Sequence, residues 1–212
     1  MNFDTARHNM VTQQVRSWDV IDKDILAAML KVQREEFVQV PQRKLAFADM
    51  ALPIGHDQSM MKPVVEGRML QALELNPNHS VLEVGTGSAY VTALLSCLAD
   101  QVHSIELFQD FTEAAKQKLD EHQISNVRLE TVDFYEFEPN QKYDRVVFTG
   151  SVNEVPAEVF NWLKTDGQVF AIVGNDPIME ARMYQSQAVF TSYFDTVVGK
   201  LVRKNQPNKF EL

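Results

Sequence analysis

The spacing of apolar residues divides the chain into two parts with different periodicities. Within residues 1–75 the apolar positions mostly recur at helical intervals, and residues 22–32 place four of them on one face behind Asp22, a favourable helix N-cap. A further helix is predicted over residues 64–74. Between these segments, residues 41–63 contain three prolines and a glycine without a clean period, which predicts a loop with short elements.

From residue 80 onward, short apolar runs alternate with helical segments. The pattern predicts strands over 81–84, 101–107, 126–133, 143–151 and 167–174, and helices over 89–99, 110–124 and 157–167. Such alternation is typical of an α/β fold with a doubly wound, mostly parallel sheet. Residues 175–212 begin with a segment that suits a helix or a strand, continue with β-rich sequence and end in a polar tail. We expect them to add antiparallel structure to the sheet.

Composition and charge narrow the classes of function. Hydrophobic residues make up 45% and charged residues 23% of the chain, as in ordinary globular proteins, and no apolar run is long enough to predict a membrane span. The start lacks the apolar centre of a secretory signal, and the single Cys97 suits a reducing cytoplasm. A net charge of −9 argues against broad nucleic-acid contacts. Five scattered histidines without ligand spacing predict no metal site.

The stretch VLEVGTGSAY, residues 81–90, carries the main candidate for chemistry. A strand runs to Glu83 and is followed at once by Gly85-Thr86-Gly87 and then by a helix. Glycine lets a ligand approach the backbone closely, and the first N–H groups of the helix suit an anion. The crevice of an open parallel sheet lies at this end of the strands. A dinucleotide site would favour a third glycine where Tyr90 stands.

Two more acids end the neighbouring predicted strands. Glu106 lies 19 positions beyond Gly87, close to the spacing at which an acid accepts hydrogen bonds from ribose hydroxyls. Asp133 ends the next strand and is followed by Phe134. Each acid alone is compatible with a solvated strand end. Three acids at successive strand ends, together with the glycine turn, favour a nucleoside ligand.

The pattern acid-x-Gly-x-Gly resembles the first motif of class I S-adenosylmethionine-dependent methyltransferases. The resemblance implies that the turn holds the methionine part of the cofactor, whose carboxylate needs N–H donors while its ammonium group is drawn to acids. It also implies that Asp133 reaches the adenine amino group, with an apolar neighbour against the ring. The predicted cofactor-binding residues are Glu83, Gly85, Thr86, Gly87, Ser88, Glu106, Leu107, Asp133 and Phe134.

Longer stretches resemble the protein-L-isoaspartate O-methyltransferase family. They are MVTQQVRSWDVIDKDILAAMLKVQREEFV (10–38), LAFADMALPIG (45–55) and VLEVGTGSAYVTALL (81–95), and the similarity runs in order over roughly residues 10–175. The resemblance implies a Rossmann-like methyltransferase domain over 76–212, with a modified C-terminal strand order. Residues 1–75 would then form a helical extension and a substrate-side loop.

The activity implied by this resemblance is methylation of a carboxylate on isoaspartyl residues in damaged peptides or proteins. Such a carboxylate, with a reference pKa of about 4, is already ionised at neutral pH, so the transfer requires no general base. The methyl ester then collapses to a succinimide outside the enzyme, which begins repair. Neither nucleic acid nor membrane is an expected partner, the expected location is the cytoplasm, and the oligomeric state stays open.

The chain departs from the family pattern in the loop before residue 64. With Gly55, Gln58 and Pro63 aligned, Met61 stands where the family has a serine near cofactor and acceptor, and Ser59 where it has a threonine. Methionine cannot donate a hydrogen bond, whereas Lys62 adds a charge suited to an acceptor carboxylate. Ser59, Met61 and Lys62 are therefore the candidate catalytic residues.

Two further departures lie on the cofactor side. Asp133 lies in VDFYEF, where the family has Gly-Asp-Gly, and TGSVNEVP (149–156) replaces a run of small residues. Three interpretations therefore stay open at the level of sequence. They are an isoaspartyl methyltransferase, a relative that methylates another acceptor, and a non-catalytic protein that binds S-adenosylmethionine.

Overall fold

The structure, a computed structural model, describes residues 1–204 of the 212-residue chain. Its N-terminal part is helical, as predicted. It contains α1 (Phe3–Asn9), continued by a π-helical turn (Met10–Val15) and a 3₁₀ turn (Arg16–Trp18), then α2 (Lys23–Lys31) and two more 3₁₀ turns (Arg34–Glu36 and Val40–Leu45). The Asp22 side chain caps α2 by accepting hydrogen bonds from the N–H groups of Asp24 and Ile25, which confirms the predicted N-cap.

The segment predicted as a loop with short elements contains a hairpin. Its strands are β1 (Leu52–Gly55) and β2 (Gln58–Met60), and α3 (Pro63–Ala72) follows directly. The two connecting residues, His56 and Asp57, have φ values of 51° and 55°. Positive φ at both central residues is the requirement of the tight hairpin turn that matches strand twist.

A seven-stranded sheet forms the centre of the rest of the chain. Its strands are β3 (Ser80–Val84), β4 (Gln101–Glu106), β5 (Val127–Thr131), β6 (Tyr143–Val152), β7 (Leu163–Asn175), β8 (Ile178–Ser186) and β9 (Val189–Thr196). The order is β5-β4-β3-β6-β7-β8-β9, parallel up to β7 and antiparallel beyond it. Helices α4 (Tyr90–Leu98) and α5 (Gln109–Glu121) follow β3 and β4. The predicted α/β class, Rossmann-like sheet and antiparallel C-terminal strands are confirmed.

The two faces of this sheet are covered differently. One face packs against α4, α5 and the N-terminal helices in a core that includes Met29, Val81 and Leu94. The other face packs against irregular segments, represented by Phe137 and Trp162. Apolar residues on successive strand positions alternate between the two cores, because side chains along a strand point to opposite faces.

The prediction of a helix over residues 157–167 is wrong. The structure has a six-residue 3₁₀ turn, Ala157–Trp162, and β7 already begins at Leu163. Val159 and Trp162, three positions apart, are both buried in the second core. Because residues three apart lie on one side of a 3₁₀ turn, two buried contacts suffice to fix this short segment.

The chain after β9 returns to the carboxyl ends of the central strands. Gly199 accepts a hydrogen bond from the N–H of Ser151 at 2.8 Å, and the N–H of Leu201 donates to the Ser151 carbonyl at 3.0 Å. The last part of the predicted polar tail, residues 205–212, lies outside the described residues. Within residues 1–204, no helix is both long and apolar enough to cross a bilayer.

Candidate active site

The glycine turn after β3 is packed closely against its neighbours. Gly85 has a φ of 97° and Gly87 a φ of 51°. A Cβ atom on Gly85 would lie 2.5 Å from Thr149 Oγ1, and one on Gly87 would lie 3.2 Å from Ile54 Cδ1. Position 85 therefore requires glycine, whereas a side chain at position 87 would push the end of Ile54 aside by a few tenths of an ångström. A bare stretch of backbone faces the crevice between β3, β6 and the hairpin.

Glu106, at the end of β4, connects the turn to the neighbouring strand. Its Oε2 accepts a hydrogen bond from the Gly87 N–H at 2.8 Å, and its Oε1 accepts one from the Phe108 N–H at 3.0 Å. Burial raises the pKa of this carboxyl group, and the backbone N–H groups oppose that shift. Each oxygen of an ionised carboxylate can accept a second hydrogen bond, so both remain available to a ligand with two adjacent hydroxyl groups.

A cavity opens beside Glu106 and is mainly apolar. Its walls include Ile54, Val84, Gly85, Glu106, Leu107, Phe108, Val132, Phe134, Thr149 and Leu201. The predicted cofactor residues Gly85, Gly87, Glu106, Leu107 and Phe134 thus meet around one space. A flat apolar ring system with a polar diol fits a cavity with these walls.

Asp133 is close to this cavity but does not line it. Its Oδ1 accepts a hydrogen bond from the Tyr135 N–H at 3.0 Å, and its Oδ2 accepts one from the Lys204 N–H at 2.9 Å. The carboxylate thereby fixes both its own loop and the C-terminal segment. A contact between Asp133 and an adenine amino group stays a prediction.

Glu83 lies beneath the glycine turn and not in the crevice. It is fully buried, and its Oε2 accepts hydrogen bonds from Thr92 Oγ1 at 2.5 Å and Ser104 Oγ at 2.6 Å. Burial raises the pKa of Glu83 to about 8. The side chain joins β3, β4 and α4, and a contact between Glu83 and the cofactor stays a prediction.

The β1–β2 hairpin closes one side of the cavity. The His56 ring stacks on the Phe108 ring with centroids 4.0 Å apart, and His56 Nε2 lies 2.9 Å from an oxygen of Asp110. These contacts fasten the hairpin tip to the beginning of α5. They place Ile54 and Ser59 against the glycine turn.

A smaller cavity adjoins the first at the other side of the glycine turn. It is lined by Ile54, Ser59, Met60, Met61, Glu66, Gly85, Thr86, Gly87, Ser88, Val91 and Thr149. The structure therefore brings Ser59 and Met61 together with Thr86 and Ser88. Lys62 is exposed and lines a separate surface groove with Trp18 and Phe194. The candidate catalytic residues are thus only partly assembled: Ser59 and Met61 adjoin the turn, and Lys62 does not.

Two features of the site were missed from sequence. One is Glu66, a buried acid in an otherwise apolar first turn of α3, where the acid among the apolar residues of VVEGRML was an available signal. The other is the segment through Leu201, whose position over Gly85 depends on tertiary packing and has no local signature. Among residues 1–204, no group of acids, histidines or cysteines could hold a metal ion.

Comparisons with known proteins agree with this geometry. The sequence pattern of the family Protein-L-isoaspartate(D-aspartate) O-methyltransferase matches residues 6–198. A protein-L-isoaspartate O-methyltransferase of Geobacter metallireducens is 36% identical over 206 residues, covering 97% of this chain and 91% of its own. One from Pelobacter propionicus is 34% identical over 180 residues, covering 83% and 84%.

The fold is also shared with a solved structure. It is that of a Plasmodium falciparum protein described as a protein-L-isoaspartate O-methyltransferase, in complex with S-adenosyl-L-homocysteine. It superposes with a TM-score of 0.80 at 17% identity, covering 92% of this chain and 98% of that one. By its match over nearly the whole sequence, this chain belongs to the protein-L-isoaspartate(D-aspartate) O-methyltransferase family.

Proposed function

We propose that this protein is an S-adenosylmethionine-dependent methyltransferase that methylates a carboxylate of isoaspartyl residues in peptides or proteins. The observation that carries the proposal is the bare turn of Gly85 and Gly87, tied through Gly87 to Glu106 beside an apolar cavity. The curated relatives from Geobacter and Pelobacter bear the name of this activity, and the Plasmodium structure contains S-adenosyl-L-homocysteine.

The residues around the two cavities suit the two halves of this cofactor. We assign the ribose hydroxyls to Glu106, because both of its oxygens keep an acceptor site. Leu107 and Phe134 form apolar walls for the base, and Asp133 follows at the same strand edge. The turn from Gly85 to Ser88 is assigned to the methionine part, because it lines the small cavity next to the nucleoside end.

The chemistry requires orientation and exclusion of water. When bound, S-adenosylmethionine would supply a sulfonium methyl group to the acceptor carboxylate, with S-adenosylhomocysteine as the leaving group. The acceptor is already a carboxylate at neutral pH, so the chain need not provide a base. Met60 and Met61 are buried and form an apolar wall beside the turn.

The test is methyl transfer to paired peptides. Tritiated S-adenosylmethionine is incubated with an isoaspartyl peptide and with the same sequence containing aspartate. We expect base-labile radioactivity in the isoaspartyl peptide alone. If calorimetry shows cofactor binding while neither peptide is labelled, the isoaspartyl assignment fails and a different acceptor or a binding-only role remains.

A second candidate function rests on Met61. The resemblance places a serine of the family at position 61, where this chain has a buried methionine, and Ser59 is exposed. A relative that methylates another acceptor is consistent with this difference. Methyl transfer to a panel of small carboxylates would distinguish the two functions, because an isoaspartyl enzyme leaves them unlabelled.

We also propose that two parts of the chain have separate roles. Residues 1–75 would contribute the helical extension and the acceptor-side hairpin, and residues 76–212 the cofactor domain. A single cysteine is the support for a cytoplasmic location. Fractionation of the native host followed by immunodetection would test the location.

A further inference from the structure

Glu66 is a buried acid with an unused acceptor atom at the methionine end of the site. Its side chain is 0% exposed and lines the small cavity between the glycine turn and β2. Its Oε2 pairs with Arg34. Its Oε1 has no hydrogen-bond partner among residues 1–204. Six other buried side-chain atoms of the described residues lack a partner, among them Glu83 Oε1 and the Tyr90 hydroxyl, but of these seven residues only Glu66 lines the small cavity. Its unpaired oxygen at a cavity wall therefore indicates a place for a donor from a ligand.

Arg34 holds the Glu66 carboxyl group in place. The guanidinium group is fully buried and also donates to the carbonyls of Ala46 at 2.8 Å and Met61 at 2.7 Å. These three acceptors lie on separate segments, so the position of the acid is fixed by tertiary structure. Burial raises the pKa of Glu66 to about 7 against the opposing effect of Arg34. A cation placed beside Oε1 would favour the ionised form.

The small cavity and the nucleoside cavity are two ends of one site, because they share Ile54, Ser59, Gly85, Gly87 and Thr149. At the small end, the proposed function places the ligand's carboxylate at the turn. The remaining charged group of a methionine moiety is its ammonium, which has three donors and no acceptor site.

Three acids lie near the turn, and two of them do not line the small cavity. Glu83 is beneath the turn and does not line either cavity, and Glu106 faces the nucleoside end. Glu66 is left at the small end. The isoaspartyl acceptor is itself anionic, and two carboxylates in one buried site repel each other. On the basis of the proposed function, we propose that Glu66, positioned by Arg34, binds the ammonium group of the cofactor's methionine moiety.

The test compares two ligands by calorimetry. S-adenosylhomocysteine carries the ammonium group, and 5′-methylthioadenosine has the same nucleoside and sulfur without the amino-acid part. For Glu66→Gln we expect S-adenosylhomocysteine to bind about 10-fold to 150-fold more weakly, the loss of one charge-assisted hydrogen bond. The affinity for 5′-methylthioadenosine should stay within about 2-fold of the wild type, since its contacts are elsewhere. The matched control is Glu113→Gln, an exposed acid on α5 that should change neither affinity.

A ligand-side measurement covers the case in which Glu66→Gln does not fold. Wild-type protein should bind the S-adenosylhomocysteine analogue that lacks the α-amino group more weakly than S-adenosylhomocysteine, by a similar factor. The role of Glu66 is overturned if the wild type binds S-adenosylhomocysteine and its analogue without the α-amino group equally well. It is also overturned if the wild type and Glu66→Gln bind S-adenosylhomocysteine equally well. Either result leaves the proposed function intact. If the wild type binds neither nucleoside, the proposed function itself fails. A higher KM for the isoaspartyl peptide with unchanged S-adenosylhomocysteine affinity would place Glu66 on the acceptor side and also overturn the inference.

Discussion

Replacing Glu106 by glutamine tests the nucleoside end of the site directly. The amide has nearly the same shape, but one carboxylate oxygen becomes an NH₂ group. That group cannot accept from a ribose hydroxyl, and it faces a backbone N–H, either that of Gly87 or that of Phe108. The substitution therefore removes one ligand contact and places two donors against each other.

The expected size follows from these contacts. A hydrogen bond to a charged group contributes about 1.5–3 kcal/mol, and its loss weakens S-adenosylhomocysteine binding about 10-fold to 150-fold. An unpaired buried N–H costs about 1–3 kcal/mol of stability. At this chain length each kcal/mol lowers the Tm by about 2–4 °C.

Calorimetry with S-adenosylhomocysteine and a thermal melt would measure both effects. Glu113→Gln is the control, because Glu113 is exposed on α5 and pairs with Gln109. If Glu106→Gln binds S-adenosylhomocysteine as tightly as the wild type, the diol is not held by Glu106, and the assignment of the larger cavity to the nucleoside is refuted.

Three further predictions concern the turn, the acceptor side and the buried acid beneath the turn. Gly85→Val should abolish S-adenosylhomocysteine binding in calorimetry, because its Cβ would lie 2.5 Å from Thr149 Oγ1; unchanged affinity would contradict the site. Met61→Ser should raise isoaspartyl methylation in the tritium assay while lowering the Tm, since truncating a buried methionine costs about 2–5 kcal/mol. The control is Met50→Ser, because Met50 is exposed. Unchanged methylation with intact cofactor binding would indicate another acceptor. Burial raises the pKa of Glu83 from 4.5 to about 8, so ionisation of this side chain opposes folding. In urea unfolding, the wild type should lose stability relative to Glu83→Gln as the pH rises from about 4.5 to about 8. A difference in stability that does not change with pH would refute the shift.

The sequence was most informative where a local pattern has one physical meaning. Alternating apolar runs predicted the parallel strands. The tight turn through residues 85–87 was readable because few other reasons place two glycines behind a buried strand. Glu106 followed from spacing alone. These features depend on residues close together along the chain.

The positions that the sequence could not show depend on tertiary packing. Glu83 shares its motif with the glycines, but strand alternation turns its side chain toward α4, away from the crevice. Lys62 is next to Met61 in sequence, yet it faces a different groove. Glu66 acquires its significance from Arg34, which lies 32 positions earlier. No local periodicity reports such contacts.

The course of the C-terminal segment has a practical consequence for handling the protein. The N–H of Lys204 donates to Asp133, and the Arg203 guanidinium carbon lies 3.3 Å from the centroid of the Tyr135 ring, beside the nucleoside cavity. A change at Arg203 or Lys204 would therefore disturb the loop that carries Asp133. Ligand affinities should be measured on protein in which these two residues are unaltered.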